Sequence, residues 1–393
     1  MQKQLHLLTL LALGACAADG GESASAASNA PDRLSLASTP GMAFGGLDDR
    51  PEYSFSVVSA GAFLGPDRFV ILDSQASELK VYSTSGEHLH TFGRRGEGPG
   101  ELGRLPRLLA TGDGTIRIWD GLQQRLSVFD GDGRYLSSTR PMDGTEIRFV
   151  QLAGALSDNR VIWKQPSQSR GAEDAPNGVY RDTTFHVVRS PDGVSDTLAW
   201  TLAAEAYRAN AEGQQLSTRV LFGREGFAVV GGDRLIYGVT DDPLLRSRNA
   251  DGSDGPTFRW DIERTPVSGR EIDSLRTESA APWRGRLETG GPQLVAMANA
   301  QLRVIDEAPA RETRPHFSAA HVNGSGDVLV QLATDLFSVT NEWVLFDEHG
   351  APRGTFSSPR DFRVLDFTLG EILGYTLDEL DLPTFQIRAL EAS

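Results

Sequence analysis

Cysteine is almost absent from this sequence, because Cys16 is the single one among 393 residues. One cysteine excludes a disulfide within the chain, and the lack of a cysteine cluster leaves a structural zinc site unsupported. Long apolar stretches are also lacking. The longest covers residues 5–18, is interrupted by His6 and Thr9, and is too short to span a bilayer as a helix. The sequence therefore excludes a polytopic membrane protein.

Positive charge is scarce as well. The chain has 38 Lys and Arg residues against 53 Asp and Glu residues, which gives a formal net charge of −15. Proteins that bind nucleic acids are generally basic, so this balance argues against a nucleic-acid partner. The apolar fraction of 39%, together with 42 glycines and 20 prolines, excludes a collagen, a coiled coil and a wholly disordered chain.

The N-terminus has the three-part layout of a secretory signal. One positive charge at Lys3 precedes an apolar core at residues 5–13, and small residues follow. The sequence Leu13-Gly14-Ala15-Cys16 resembles the lipobox of bacterial lipoproteins. This resemblance implies cleavage before Cys16 and diacylglycerol addition to its thiol, so residues 1–15 are predicted to be a lipoprotein signal peptide. An ordinary signal sequence with an incidental cysteine is the alternative.

Residues 16–32 contain no large apolar side chain and are predicted to form a flexible tether. In Gram-negative lipoproteins an aspartate directly after the cysteine favours retention in the inner membrane. Here Ala17 follows Cys16, so the resemblance favours the outer membrane in a Gram-negative host. We therefore expect a monomer in the cell envelope, attached to the membrane through Cys16.

Short apolar strands recur throughout residues 33–393, which we predict to be one domain. Six units of three strands can be delineated, and in five of them the third strand runs into a glycine-containing hairpin turn. The turn glycines are Gly86, Gly133, Gly193, Gly252 and Gly350. A fourth strand follows each of these turns, whereas the sixth unit ends with the chain. Residues 34–44 can supply the missing strand, which predicts an all-β, six-bladed β-propeller of four-stranded blades closed by an N-terminal strand.

A family resemblance supports this architecture. Residues 92–102, Phe-Gly-Arg-Arg-Gly-Glu-Gly-Pro-Gly-Glu-Leu, are followed by Leu105-Pro106. This stretch resembles the linker between blades in NHL-type bacterial six-bladed β-propellers of the TolB-like superfamily. The resemblance is sharp over residues 54–140, and units three and four depart from it. In unit four, residues 219–230 are predicted to form one long first strand, bent at Gly223.

One segment interrupts the β pattern. Ser268 and Glu271 have the spacing of a capping box, and residues 293–305 lack turn formers. Pro309 and Pro315 follow. The sequence predicts a helical insertion at residues 264–312, between blades four and five. It is either a lid over one propeller face or, as we favour, a pad on apolar blade surface.

The glycine-rich linker also contains the candidate ligand-binding residues Arg94, Arg95, Glu97 and Glu101. Linkers of this kind lie at one rim of the central channel, where arginines can pair with an anionic or carboxylate ligand. The favoured alternative is that Arg94 and Glu101 pair with each other or with neighbouring blades. The linker lacks the strand-to-helix context of a phosphate-binding loop.

No catalytic residue, metal site or cofactor can be assigned, because the sequence contains neither a nucleophile elbow nor a His-x-x-x-His pair. We therefore predict a non-catalytic scaffold that binds a protein, peptide or glycan. The alternative is a propeller enzyme, a calcium-dependent lactonase-like hydrolase or a lyase, with its site at the central channel. Its candidate ligands are Gln151, His316, Asn323 and Asp366. Three or more such side chains at the axis would favour the enzyme, and an apolar or arginine-lined channel would favour binding.

Overall fold

The computed structural model describes residues 32–48, 50–109, 114–143, 151–167, 177–211 and 213–393. Cys16, the predicted signal peptide and all of the predicted tether except residue 32 lie outside these ranges. Within them, the chain is built of β-strands and two α-helices. No described helix is both long and apolar enough to cross a membrane.

The described strands form seven antiparallel sheets, six of which we number in chain order. Two short strands come first, β1 (Leu34–Leu36) and β2 (Met42–Gly45). Sheet one contains β3 (Val58–Phe63), β4 (Arg68–Asp73), β5 (Glu78–Ser83) and β6 (His88–Phe92). Sheet two contains β7 (Pro106–Leu108), β8 (Thr115–Asp120), β9 (Arg125–Asp130) and β10 (Tyr135–Thr139).

The middle of the chain forms sheets three and four and a smaller sheet. The next strands are β11 (Gln151–Ala155), β12 (Val161–Pro166), β13 (Gly178–Tyr180), β14 (Thr183–Arg189), β15 (Ser195–Leu202), β16 (Ala206–Ala211) and β17 (Gln214–Arg219). Sheet three has the order β11-β12-β14-β15, and β13, β16 and β17 form a separate three-stranded side sheet. Sheet four contains β18 (Gly226–Gly231), β19 (Arg234–Val239), β20 (Leu244–Asn249) and β21 (Asp254–Arg259).

Two helices precede the last two sheets. They are α1 (Gly269–Thr289) and α2 (Pro292–Glu307). Sheet five contains β22 (Phe317–Val322), β23 (Val328–Leu332), β24 (Thr340–Phe346) and β25 (Pro352–Pro359). Sheet six contains β26 (Arg363–Phe367), β27 (Glu371–Leu377) and β28 (Pro383–Ala392). Both β1 and β2 pair with β28, and Met42 lies opposite Ile387.

The hairpin turns have the geometry that the sequence predicts. Each of the five turn glycines has a positive φ, between 77° and 90°. The N–H group of each also donates to the carbonyl oxygen of the residue three positions earlier. An L-residue with a Cβ atom rarely adopts this φ, whereas glycine does so at little steric cost. The prediction that glycine allows these turns is confirmed.

The hydrophobic core lies between the sheets. The central strands contain consecutive buried apolar residues, as in Phe69-Val70-Ile71-Leu72, because both faces of each sheet pack against a neighbour. Six clusters of buried side chains join sheets one to six in sequence. One of these clusters brings Phe385 of sheet six together with Phe69 and Tyr82 of sheet one. This all-β arrangement of four-stranded antiparallel sheets fits a β-propeller.

The long strand predicted for residues 219–230 is wrong. Arg219 ends β17 in the side sheet, whereas β18 of sheet four begins at Gly226. Between them the N–H group of Gly223 donates to the carbonyl oxygen of Val220 at 3.0 Å, and Phe222 has a φ of 54°. A Cβ atom at Gly223 would lie 2.8 Å from the Val220 oxygen, so glycine permits a tight turn that separates the two strands.

Helix α2 packs on the side sheet, and α1 packs on α2. The capping box predicted for α1 is confirmed, because Ser268 Oγ accepts from the Glu271 N–H group and Glu271 Oε2 accepts from the Ser268 N–H group. Helix α2 buries Ala300 and Val304 against alanines of β16, and Gln301 Nε2 donates to the Ser217 carbonyl at 3.0 Å. This surface of α2 therefore contacts the three-stranded sheet, which the sequence did not predict.

Candidate functional site

Residues 93–105 link sheet one to sheet two and are called the connector below. A buried arginine of β9 holds its main chain in place. Arg125 Nη1 donates to the carbonyl oxygen of Glu97 at 2.7 Å, and Nη2 donates to that of Glu101 at 2.6 Å. A guanidinium group has several donors in a fixed plane, so one side chain can satisfy several carbonyl groups of a loop.

Two of the predicted binding residues interact with each other. Arg94 Nη2 lies 2.7 Å from Glu101 Oε1, and Glu101 Oε2 accepts from the Gly98 N–H group at 2.9 Å. The Gly98 N–H bond and the Arg94 hydrogen bond together lower the pKa of Glu101. Arg94 is exposed, so the ion pair contributes little to stability. Arg94 and Glu101 therefore pair with each other within the connector.

The other two predicted residues lie at different cavities. Glu97 lines a shallow pocket of about 400 Å3 with Arg125, Arg140 and Asp143. Arg95 instead lines a cleft of about 650 Å3 between sheets one and two, where β3 and β7 begin and β4 and β8 end. We call this space the arginine cleft. The structure therefore separates Glu97 from Arg95 and leaves Arg95 as the predicted residue that lines the larger cavity.

Three arginines line the arginine cleft, and no acidic side chain is among the described residues that line it. They are Arg95, Arg104 and Arg107. Arg95 Nη2 donates to the carbonyl oxygen of Gln75 at 2.5 Å. Within the described part of the chain, the side chains of Arg104 and Arg107 have neither a hydrogen bond nor an ion pair. The described lining of the cleft is therefore cationic, although the protein as a whole is acidic.

Arg107 is partly desolvated, and its charge acts on a second cation, Lys164. Protein atoms around its guanidinium group remove part of its hydration and lower its pKa. Burial also lowers the pKa of Lys164 in β12, and the positive charge of Arg107 lowers it further. Because desolvation and a like charge both disfavour a cation, an anion placed beside Arg107 and Lys164 would relieve both effects.

A second, smaller cavity of about 190 Å3 touches all six sheets. Its lining comes from the first strand of each sheet, namely β3, β7, β11, β18, β22 and β26, so we call it the axial cavity. Its walls are mostly alanine, glycine, valine and leucine, and Arg107 lines it as well as the arginine cleft. Of the four predicted enzymatic candidates, Asn323 and Asp366 line it, whereas Gln151 and His316 do not.

Asn323 is fully engaged in its own turn. Its Oδ1 atom accepts from the N–H groups of Ser325, Gly326 and Asp327, and Nδ2 donates to Asp327 Oδ2 and to the Phe367 carbonyl. A side-chain amide has two donor hydrogens and one oxygen acceptor, and here all of them are used. Asn323 therefore shapes the turn between β22 and β23 and offers no free ligand atom to the cavity.

Asp366 is the one carboxyl group among the described residues that line the axial cavity. Burial raises its pKa to about 7, although the N–H groups of Phe63 and Phe367 bond to the carboxylate and oppose this rise. The Phe63 N–H group donates to Oδ2 at 2.7 Å. The described residues contain no group of three or more His, Cys, Asp or Glu side chains that could hold a metal ion. The cavity therefore presents one carboxyl group and one arginine in apolar walls.

The sequence did not single out Arg104 and Arg107. Both follow the glycine-rich stretch closely, but the sequence does not reveal which arginines lack an acidic partner after folding. Arg94, ten residues before Arg104 in the same connector, has such a partner. The available signal was local: no acidic residue occurs in residues 102–109, which contain both arginines.

No family model and no curated protein matches this sequence. Solved structures do match this chain. A member of the DUF4221 family from Bacteroides vulgatus has a TM-score of 0.51 at 10% identity, over 92% of this chain and 100% of that one. A protein described as exported, from Bacteroides fragilis, has a TM-score of 0.45 at 14% identity, over 91% and 99%. Regucalcin from Agrobacterium tumefaciens has a TM-score of 0.35 at 10% identity, over 92% and 97%. At these identities the likeness concerns the fold alone. The fold is that of a β-propeller.

Proposed function

We propose that this chain is a lipid-anchored, extracytoplasmic β-propeller that binds a protein, peptide or glycan without catalysing a reaction on it. The observation that carries the proposal is the arginine cleft, where three arginines meet without an acidic side chain among the described lining residues. A concave site with a few convergent polar groups is the usual form of a binding site. The axial cavity, with its single carboxyl group at Asp366, supplies fewer ligands than the calcium-dependent alternative requires.

The proposed architecture is a ring of six four-stranded blades of the NHL type, with α1 and α2 as an insertion between blades four and five. The order of the six core clusters supports the ring, because the last cluster joins sheet six to sheet one. The pairing of Phe44 opposite Phe385 supports closure by the N-terminal strand. A strand added from the other end of the chain would cover an edge that β28 otherwise leaves unpaired.

The proposed location rests on the sequence around Cys16. A signal peptide at residues 1–15, a tether at residues 16–32 and Ala17 after the cysteine support a lipid anchor in the cell envelope, in the outer membrane of a Gram-negative host. Metabolic labelling of the native host with a clickable fatty acid tests this proposal. We expect label on the wild-type protein and none on Cys16→Ser, and an unlabelled wild-type protein would remove the anchor from the proposal.

Thermal unfolding of the full chain tests whether the function is binding or metal-dependent catalysis. We expect calcium and zinc to leave the unfolding temperature unchanged, because no described cluster of acidic residues and histidines can hold either ion. A ligand that binds the folded state alone raises the unfolding temperature in proportion to its occupancy. A calcium-dependent rise of several degrees that disappears in Asp366→Asn would favour the enzyme over the scaffold.

A further inference from the structure

The arginine cleft brings three arginines together without an acidic side chain among its described lining residues. Two arginines nearby in sheets one and two do pair with carboxylates: Arg68 Nη1 lies 2.6 Å from Asp132 Oδ1, and Arg134 Nε lies 3.0 Å from Asp130 Oδ2. In the cleft, Arg95 bonds to a carbonyl oxygen, which leaves its charge uncompensated. Positive charges without counter-charges in a concave site attract and orient anions.

Two exposed side chains of the cleft lining are aliphatic. Leu105 is 59% exposed and Val57 is 46% exposed, and both line the cleft. Leu122, which follows the lining residue Gly121, is also exposed. Exposed aliphatic side chains of this size lose contact with water when a partner covers them, which contributes to affinity. The cleft therefore combines an aliphatic margin with a cationic lining.

An exposed aromatic ring, on which a sugar face could stack, is missing from the described lining. The aromatic residue there is Trp119, and it is 1% exposed. The polar uncharged groups are those of Ser59, Ser74 and Gln75, which can orient a bound chain by hydrogen bonds. A peptide in which acidic and aliphatic residues alternate would offer carboxylates to the arginines and apolar side chains to the aliphatic residues. A carbohydrate would offer no aliphatic side chains, so the lining is more complementary to such a peptide.

We propose that the arginine cleft binds an acidic, aliphatic peptide segment of a partner protein. This inference rests on the proposed binding function and names its ligand class. Arg104 and Arg107, which have no partner within the described residues, pair with peptide carboxylates, and Arg95 adds charge beside them. Val57 and Leu105 contact the aliphatic side chains. The cleft volume of about 650 Å3 lies within the usual range of ligand sites, so a short segment suffices.

Fluorescence anisotropy with the full chain in detergent tests the proposal. The probe is a fluorescein-labelled peptide of alternating leucine and glutamate, and the matched control peptide replaces each glutamate by glutamine. We expect the acidic peptide to bind at least tenfold more tightly than the neutral one, with an affinity that falls as salt rises. Equal affinities of the two peptides would overturn the proposal.

Variants locate the binding to the cleft. Arg104→Gln and Arg107→Gln should each weaken binding of the acidic peptide about tenfold or more, because each removes a charged hydrogen bond. Arg134→Gln, an exposed arginine on the outer side of sheet two, should bind like the wild type. Leu105→Asp introduces a carboxylate at an exposed position and should abolish binding without altering the fold. Circular dichroism verifies folding, and wild-type affinity in both Arg104→Gln and Leu105→Asp would overturn the assignment.

A second probe, an acidic glycan, distinguishes the failure of this inference from the failure of the proposed function. An oligogalacturonate presents carboxylates without aliphatic side chains. If it binds in an Arg107-dependent manner and the acidic peptide does not, the peptide assignment is overturned and the binding scaffold stands. If neither probe binds, the inference is overturned, and the scaffold itself is then judged by the calcium-dependent unfolding described above.

Discussion

Arg314 Nη2 lies 2.5 Å from Oε2 of Glu271, and both side chains are buried. Glu271 belongs to the first turn of α1, whereas Arg314 precedes β22, so the pair connects the helices to sheet five. Burial pushes the pKa of Glu271 up, but hydrogen bonds from Ser268, Arg314 and the Leu336 N–H group outweigh this effect and hold the pKa near 2. Removal of one partner of a buried ion pair destabilises a fold, because the other partner stays buried with less compensation of its charge.

Glu271→Gln should therefore lower the free energy of unfolding by about 1.5–3 kcal/mol, because it removes the buried charged partner of Arg314 and leaves the half-exposed Asp335, at 3.1 Å, as its remaining counter-charge. Urea denaturation followed by circular dichroism measures the loss. The control is Glu278→Gln on an exposed position of the same helix, which should change stability by less than about 0.5 kcal/mol. Equal effects of the two substitutions would mean that the buried pair does not hold α1 in place.

The Glu271 site shows how far the sequence could go. The spacing of Ser268 and Glu271 predicts the capping box, because both partners lie within one helical turn. The partner Arg314 is 43 residues away and depends on tertiary packing. The same distinction explains the hairpin turns, which glycines determine locally, and the side sheet, in which Tyr180 of β13 lies opposite Ala206 of β16, far along the sequence.

The candidate site, too, could be predicted from the sequence only in part. The sequence identified the connector and allowed the pairing of Arg94 with Glu101, which are seven residues apart. It did not identify Arg104 and Arg107, because the lack of a partner for an arginine depends on what every neighbouring sheet brings close. The sequence offered no reason to prefer one of the four enzymatic candidates over the others. The folded structure distinguishes them, because Asp366 of β26 lines the axial cavity and Gln151 of β11 does not.

Asp366 should contribute less to stability as the pH rises and its carboxyl group loses its proton. The folded state holds this proton with a pKa of about 7, above the ordinary 3.8, so it binds more protons than the unfolded chain between about pH 4 and pH 7. Its contribution to the free energy of unfolding should therefore decrease across this window, by up to about 4 kcal/mol, while His186 and His321, whose pKa burial lowers to about 4, contribute the opposite trend. Urea denaturation at several pH values measures the slope.

Asp366→Asn should remove this contribution, so that its free energy of unfolding rises relative to the wild type between about pH 4 and pH 7, because the amide cannot ionise and its oxygen can still accept from the Phe63 N–H group. Asp361→Asn is the matched control at an exposed position, and its pH profile should run parallel to that of the wild type. An unchanged slope in Asp366→Asn would show that another group causes the pH dependence.

Arg125→Gln should expose the connector to trypsin. The substitution removes the hydrogen bonds to the carbonyl oxygens of Glu97, Gly98 and Glu101, so the main chain beside Arg94 and Arg95 opens more often. Cleavage after these two arginines should become at least tenfold faster, which corresponds to the loss of one or two hydrogen bonds. Limited proteolysis with mass spectrometry measures the rate at each site.

Cleavage after the exposed Arg353 in β25 provides an internal reference for the Arg125→Gln experiment. A local effect accelerates cleavage in the connector and leaves the rate after Arg353 unchanged. If both rates increase equally, Arg125 acts through global stability, and if neither increases, the guanidinium group does not restrain the connector.

Deletion of residues 33–46 should make the protein associate. This segment contains β1 and β2, which both pair with β28, so its removal leaves the N–H and C=O groups of β28 unpaired along one edge. Size-exclusion chromatography with light scattering should show oligomers or aggregates for the deletion and a monomer for the full chain in matched detergent. A monomeric deletion variant of unchanged stability would refute the proposed closure.

Met42→Ala tests the same closure without changing the length of the chain. Met42 is 5% exposed and packs in the cluster that contains Phe69, Tyr82 and Phe385. Truncation of a buried methionine leaves a cavity and should lower the free energy of unfolding by about 2–5 kcal/mol. Leu47→Ala, five residues later at a side chain that is 81% exposed, should change it by less than about 0.5 kcal/mol. Because Met42 contacts the core between sheets six and one through β2, similar stabilities of the two variants would show that the N-terminal strand does not contribute to this core.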